Sequence, residues 1–241
     1  MTPVSGKVIL VTGAAKRIGR AIALRLSHEG ARVAIHYATS SEEAAATALD
    51  CGAVPLFQAD LARVDQIARL YDEVHQHFGR IDAVVNNAAR FTKIDPLEVT
   101  ETDWDFIHSV NLKSVFFSCQ AAARIMLAQP EGGRVVNISS GGGIRPWPHH
   151  AHYCASKAGV IHMTRALAVA WAPKISVNTV APGVIPFGEE TMPGVAALIG
   201  KTPAGRAGTG DEIAGAVLYS LQASTFTTGQ TFSVDGGLSL V

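Results

Sequence analysis

Cysteine is scarce: Cys51, Cys119 and Cys154 are the only three in 241 residues. An odd number with no C-x-x-C spacing argues against a disulfide framework or a thiolate zinc site and suits a reducing compartment. An excess charge of one sign is missing too. Twenty Lys and Arg balance twenty Asp and Glu, so no global field draws the chain to nucleic acid or an anionic membrane. No run reaches about 18 uninterrupted apolar residues, the length a membrane-spanning helix needs. The segment from Met1 to Lys7 lacks the apolar core of a signal peptide, and a cytoplasmic location is the expectation. What remains is 48% hydrophobic and only 17% charged, too apolar for a disordered chain. A single α/β domain can run to roughly 250 residues, so one domain over residues 1–241 is expected.

Short β-branched runs alternate with stretches of helical period. Val8–Thr12 is an unbroken apolar run, as expected of a strand buried on both faces of a parallel sheet. Further strands are predicted at Arg32–Ile35, Val54–Gln58, Ala83–Val85, Arg134–Ile138, Ile175–Val180 and Thr231–Val234. Helices are predicted over Arg17–Gly30, Ser41–Leu49, Val64–Phe78, Asp103–Met126, His152–Ala172 and Asp211–Leu221. This alternation implies right-handed β-α-β units and a doubly wound parallel sheet. Residues 184–205 break the rhythm with prolines and glycines and read as a mobile substrate loop at the sheet's C-terminal edge.

The turn Thr12-Gly13-Ala14-Ala15-Lys16-Arg17-Ile18-Gly19 joins the first strand to the first helix. Small residues there let the backbone approach a pyrophosphate, and the helix N-terminus offers free N–H groups. The spacing is not G-x-G-x-x-G, and by itself the turn is equally well an ordinary strand-to-helix connection. Further motifs follow in order: Asn86-Asn87-Ala88-Ala89, Asn111, Ser140, Tyr153-x-x-x-Lys157, Pro182-Gly183, Thr228-Gly229-Gln230 and Val234-Asp235-Gly236-Gly237. Together they resemble the short-chain dehydrogenase/reductase family over nearly the whole chain. The resemblance implies a Rossmann-type sheet of about seven parallel strands and nicotinamide-dependent oxidation or reduction, commonly in a homotetramer. It also implies cofactor contacts from Gly13, Lys16, Arg17, Ile18 and Gly19, and from His36, Tyr37, Ala38, Thr39 and Ser40. Asp60 and Leu61, Asn87, Ala88 and Ala89, Tyr153, Lys157, Pro182, Gly183 and Val184 complete that set.

Tyr153 and Lys157 lie four apart, one turn along a common helix face. A free phenol titrates near 10, and a neighbouring ammonium is expected to draw it toward the working range of an acid–base catalyst. Ser140, just past a strand, can hydrogen-bond the substrate oxygen as charge develops there. The resemblance gives Asn111 a water that links the lysine to solvent. A solitary Y-x-x-x-K is common on surface helices; Ser140 and Asn111 in register favour the catalytic reading. His149, His150 and His152 crowd the loop before Tyr153. They lack a metal-binding spacing and read as solvated loop histidines near a substrate entrance, with no metal expected. Cys154 reads as packing.

No carboxylate stands in Ile35–Ser40, where one would bind a ribose 2′-hydroxyl and repel a 2′-phosphate. Thr39 and Ser40, with Lys16 and Arg17 opposite, favour NADPH. The turn, with Arg17 where most relatives have a small residue, is similar to that of pteridine reductases. Phe91 stands where those proteins stack the pterin. Ser140, however, replaces their aspartate and serves a carbonyl better than a C=N bond. Substrate contacts are therefore expected from Arg17, Phe91, Ser140 and Tyr153. The expected function is NADPH-dependent reduction of a ketone, quinone or 3-oxoacyl group. A pteridine reductase is the alternative, and an NADP-binding sensor or scaffold the non-enzymatic one.

Overall fold

A computed structural model describes residues 2–187 and 194–241. Seven strands form one parallel sheet: β1 Val8–Val11, β2 Arg32–Tyr37, β3 Leu56–Gln58, β4 Ala83–Asn86, β5 Gly133–Ile138, β6 Ile175–Pro182 and β7 Thr231–Val234. Their spatial order is β3-β2-β1-β4-β5-β6-β7. The order reverses between β1 and β4, the point at which doubly wound sheets open a crevice at their C-terminal edge.

Strand side chains alternate between two buried faces. Ile9, Val11, Val33, Ile35, Val85, Val136 and Ile138 point to one side, against α1 (Arg17–His28) and α8 (Gly210–Gln222). Leu10, Ala34, Val84, Val135 and Val177 point to the other. There they meet α3 (Val64–Phe78), α5 (Ser114–Ala128) and α6 (Ala151–Trp171). Because both faces are covered, the strands read as continuous apolar runs. The short helix α2 (Ser41–Asp50) links β2 to β3.

Two expectations are corrected. The helix predicted over Asp103–Met126 is interrupted: α4 (Glu101–His108) and α5 flank a π-helical turn, Ser109–Lys113. Hydrophobic period does not reveal such a turn, because one extra residue barely changes the apolar pattern. The segment 184–205 is not loop throughout, since α7 spans Val195–Lys201. Residues 188–193 of that segment lie outside the described residues.

Candidate active site

The turn after β1 is packed too tightly for side chains at its glycines. Gly13 has φ 63°, and a Cβ there would lie 2.9 Å from the Cα of Ala88. A Cβ on Gly19 would run into the Gly13 carbonyl oxygen. Asn87 holds the turn from β4: its Nδ2 donates to the carbonyls of Thr12 at 2.9 Å and Gly13 at 3.1 Å. The Thr12 hydroxyl accepts from the N–H groups of Asn87 and Ala88. Ile18 packs against the core on the α8 side. Gly183, after β6, is equally constrained, because a Cβ would sit 2.6 Å from Asp235 Cα. Such a cradle of bare backbone at a helix start fits a nucleotide pyrophosphate.

At the end of β2 the structure sorts the expected contacts. The His36 ring is buried. Its Nδ1 accepts from the Gly13 N–H at 3.1 Å, and its Nε2 donates to the Ala59 carbonyl at 3.0 Å. Burial drives its pKa down to about 4 against the weaker raising effects of the Ala59 bond and Asp60. Thr39 is exposed and Ser40 half-buried, and neither hydroxyl has a hydrogen-bond partner among the described residues. Tyr37 is half-buried and Ala38 exposed, the latter accepting at its carbonyl from Gln58 Nε2. Lys16 is not an unopposed charge: its Nζ lies 3.2 Å from Glu43 of α2. The sequence reading missed this acid because it belongs to the next helix. Arg17 is exposed and makes no side-chain hydrogen bond or ion pair among the described residues. Asp60 caps its own loop, accepting from Ala62 N–H at 3.0 Å, beside buried Leu61. Ala89 is exposed and Val184 half-buried.

Ser140 follows β5, and Tyr153 and Lys157 lie on the buried stripe of α6 with Val160, Ile161, Thr164 and Ala168. A buried polar chain fixes α6 against the sheet. Asn86 donates to Asn137 Oδ1 at 2.8 Å, and Asn137 and Thr179 both donate to the Thr164 hydroxyl at 2.9 Å. Tyr153 is 8% exposed and Lys157 2%. Lys157 Nζ donates to the Ile138 carbonyl at 2.9 Å, and burial lowers its pKa to about 8. The Tyr153 phenol is pushed up to about 12 by burial, while the Ser140 hydroxyl pulls it back down. In this structure the Lys157 ammonium is held on a backbone carbonyl, and Ser140 is the neighbour that lowers the phenol.

Asn111 sits fully buried in the π-helical turn. Its Oδ1 accepts from the Arg90 N–H at 2.7 Å, and its Nδ2 donates to the Arg90 carbonyl at 2.9 Å and to Ser156 Oγ at 3.3 Å. The amide thereby ties the segment following β4 to α6, and both ends of the side chain are engaged by protein.

The three histidines are not uniformly solvated. His149 is exposed, His150 is half-buried, and His152 is 1% exposed and bonded to the Thr92 hydroxyl at 2.6 Å. Phe91, 42% exposed, stacks on His150 at 4.7 Å and meets Tyr153 edge-on at 4.8 Å. Trp147 lies parallel to Tyr153 at 6.1 Å. Sequence reasoning found Phe91 but missed Trp147 and the role of His150. The available signal was their closeness in sequence to Tyr153. Cys154 is half-buried, its thiol raised by burial, in keeping with packing. Among the described residues no group of three or more His, Cys, Asp or Glu is arranged to hold a metal ion.

A family described as Enoyl-(Acyl carrier protein) reductase matches residues 13–239. A 3-oxoacyl-[acyl-carrier-protein] reductase of Synechocystis sp. is 36% identical over 245 residues, covering 99% of each chain. A 2-dehydro-3-deoxy-D-gluconate 5-dehydrogenase of Escherichia coli is 38% identical, covering 96% of this chain and 95% of that one. A short-chain dehydrogenase/reductase from Serratia marcescens superposes with a TM-score of 0.93 at 35% identity, over 98% of this chain and 99% of that one. The chain belongs to the short-chain dehydrogenase/reductase family. It is an oxidoreductase of a fold that works with nicotinamide cofactors.

Proposed function

We propose that this protein is an NADPH-dependent carbonyl reductase in which Tyr153 gives a proton to the substrate oxygen. The observation that carries the reading is the buried Ser140–Tyr153 pair, with Tyr153 on the same α6 stripe as Lys157 and Ser140 just past the C-terminal end of β5. A bound nicotinamide would supply hydride to the carbonyl carbon. The chain's own part is to hold two hydroxyls at one oxygen: Ser140 stabilises the developing charge, and Tyr153 delivers the proton. Lys157, anchored on the Ile138 carbonyl, restrains the C-terminal side of the site.

NADPH is favoured over NADH because residues 36–40 carry no acid and two hydroxyls there are open. Arg17, exposed on the facing turn, adds charge for a 2′-phosphate. The engagement of Lys16 by Glu43 leaves Arg17 the larger part of that task. The three free thiols and the absence, among the described residues, of a helix able to cross a membrane support a cytoplasmic enzyme. Leu112, Phe116, Phe117 and Met163 form an apolar surface on α5 and α6 and the turn before them, which supports a homo-oligomer, a tetramer by resemblance.

The test is NADPH and NADH oxidation by the purified protein with ketones, quinones and 3-oxoacyl thioesters. Tyr153→Phe keeps the ring packing and removes the proton, so turnover should fall by about 10²–10⁴ while NADPH still binds. Near-normal turnover by this variant would remove the tyrosine from the mechanism. One observation favours a second reading: Phe91 presents a ring beside Tyr153, as a pterin slot requires. Efficient dihydropterin reduction with carbonyls inert would establish that alternative. Ser140, a neutral hydroxyl, supports the carbonyl.

A further inference from the structure

We infer that His150 reads the substrate: its Nε2 accepts a hydrogen bond from a hydroxyl next to the carbonyl, so the enzyme prefers hydroxy ketones to plain ketones and diketones of similar size. The inference rests on the carbonyl-reductase reading and narrows its substrate class.

The tautomer follows from the partner. His150 Nδ1 lies 2.8 Å from the Thr92 carbonyl oxygen. A carbonyl only accepts, so Nδ1 carries the hydrogen, and the neutral ring is left with a lone pair on Nε2. That nitrogen has no partner among the described residues and is not among the buried unpartnered atoms, so it is open to a ligand. The ring cannot easily turn. It stacks on Phe91 at 4.7 Å and meets Trp147 edge-on at 5.8 Å. The segment behind it is pinned by the Ile94 N–H donating to the His149 carbonyl at 2.9 Å. Phe91 in turn touches Tyr153, so the acceptor stands on the rim of the reacting centre.

A fixed acceptor discriminates by sign. A hydroxyl donates to it. The second oxygen of a diketone or a 3-oxoacyl thioester brings only lone pairs. A plain ketone offers nothing in exchange for the water it displaces. Sites built to hydrogen-bond a substrate hydroxyl reject analogues lacking it.

The experiment compares kcat/KM for hydroxyacetone, butanone and 2,3-butanedione in the wild type, His150→Phe and His150→Gln. The wild type should favour hydroxyacetone over both others by about tenfold or more. His150→Phe should erase most of that preference, and His150→Gln, whose amide oxygen also accepts, should restore part of it. A wild type that reduces these ketones with no preference for hydroxyacetone, or a preference that survives intact in His150→Phe, would overturn the inference. A binding arm separates it from the parent reading. In Tyr153→Phe loaded with NADPH, hydroxyacetone should shift the ¹⁵N resonance of His150 Nε2, and no shift at saturating hydroxyacetone also overturns the inference. Should the wild type reduce none of the three while the resonance still moves, the reductase reading falls and the His150 contact stands.

Discussion

Arg17 has a φ of 55°, a left-handed conformation that a side chain adopts only at a cost of roughly 1–2 kcal/mol. The residue also lies exposed at the start of α1, where a cation faces the positive end of the helix dipole. Both penalties are relieved if an anion lies against the guanidinium. Arg17→Gly should therefore raise the unfolding free energy by up to about 1 kcal/mol, read by denaturant titration. It should also weaken NADPH about tenfold or more while leaving NADH less affected, since charge-assisted bonds contribute roughly 1.5–3 kcal/mol. An equal loss for both cofactors in calorimetry would place Arg17 away from the 2′-phosphate. Lys157 shows the same separation between identity and environment. Its spacing from Tyr153 is visible in the sequence. Its bond to Ile138, which ties the ammonium to β5, joins residues 19 apart in the chain.

Between elements, His36 is the connector. It sits in β2, accepts from the turn after β1 and donates to the residue following β3, so one ring sets the spacing of three strand ends. Held at about 4 by burial, it refuses a proton that the unfolded chain takes up near 6.5. The unfolded state therefore binds more protons in that window, and stability falls as pH drops from about 6.5 toward 4 and is unaffected by this group above it. Relative to His36→Asn, the wild type should lose on the order of 3 kcal/mol between pH 7 and pH 4, at about 1.4 kcal/mol per unit. A difference between the two proteins that does not vary with pH would show that the ring is not held neutral. The π-helical turn is a connector of a different kind: it places Asn111 where its amide clamps both backbone groups of Arg90. Apolar spacing on either side was enough to predict helix there. It was not enough to predict the break, because the gain from the break is made by a residue 21 positions away.

At the scale of the whole molecule, the exposed apolar surface on α5 and α6 has no partner among the described residues. Phe116 is 38% exposed and lies among Leu112, Phe117 and Met163. Burial of such a patch contributes roughly 25 cal/mol per Å², so a second copy of the chain should cover it. Sedimentation velocity should give a mass that is a multiple of the 25.3 kDa chain. Phe116→Glu should lower that mass by placing a charge in the contact. A monomeric wild type would remove the homo-oligomer from the reading.

The succession of strands and helices, the doubly wound parallel class and the motif residues Thr12, Asn87, Ser140, Tyr153 and Gly183 were determined by the sequence itself. Strand runs and helical stripes are local patterns, and a parallel β-α-β chain has only one hand in which to wind. The tertiary structure decided what each side chain meets once there. It buried the His36 ring between neighbouring strand ends, set Glu43 against Lys16, set Ser140 against the Tyr153 phenol, and buried His152 while leaving Phe91 exposed. Burial and hydrogen-bond partners are settled by residues distant in the chain, and a pKa follows from both.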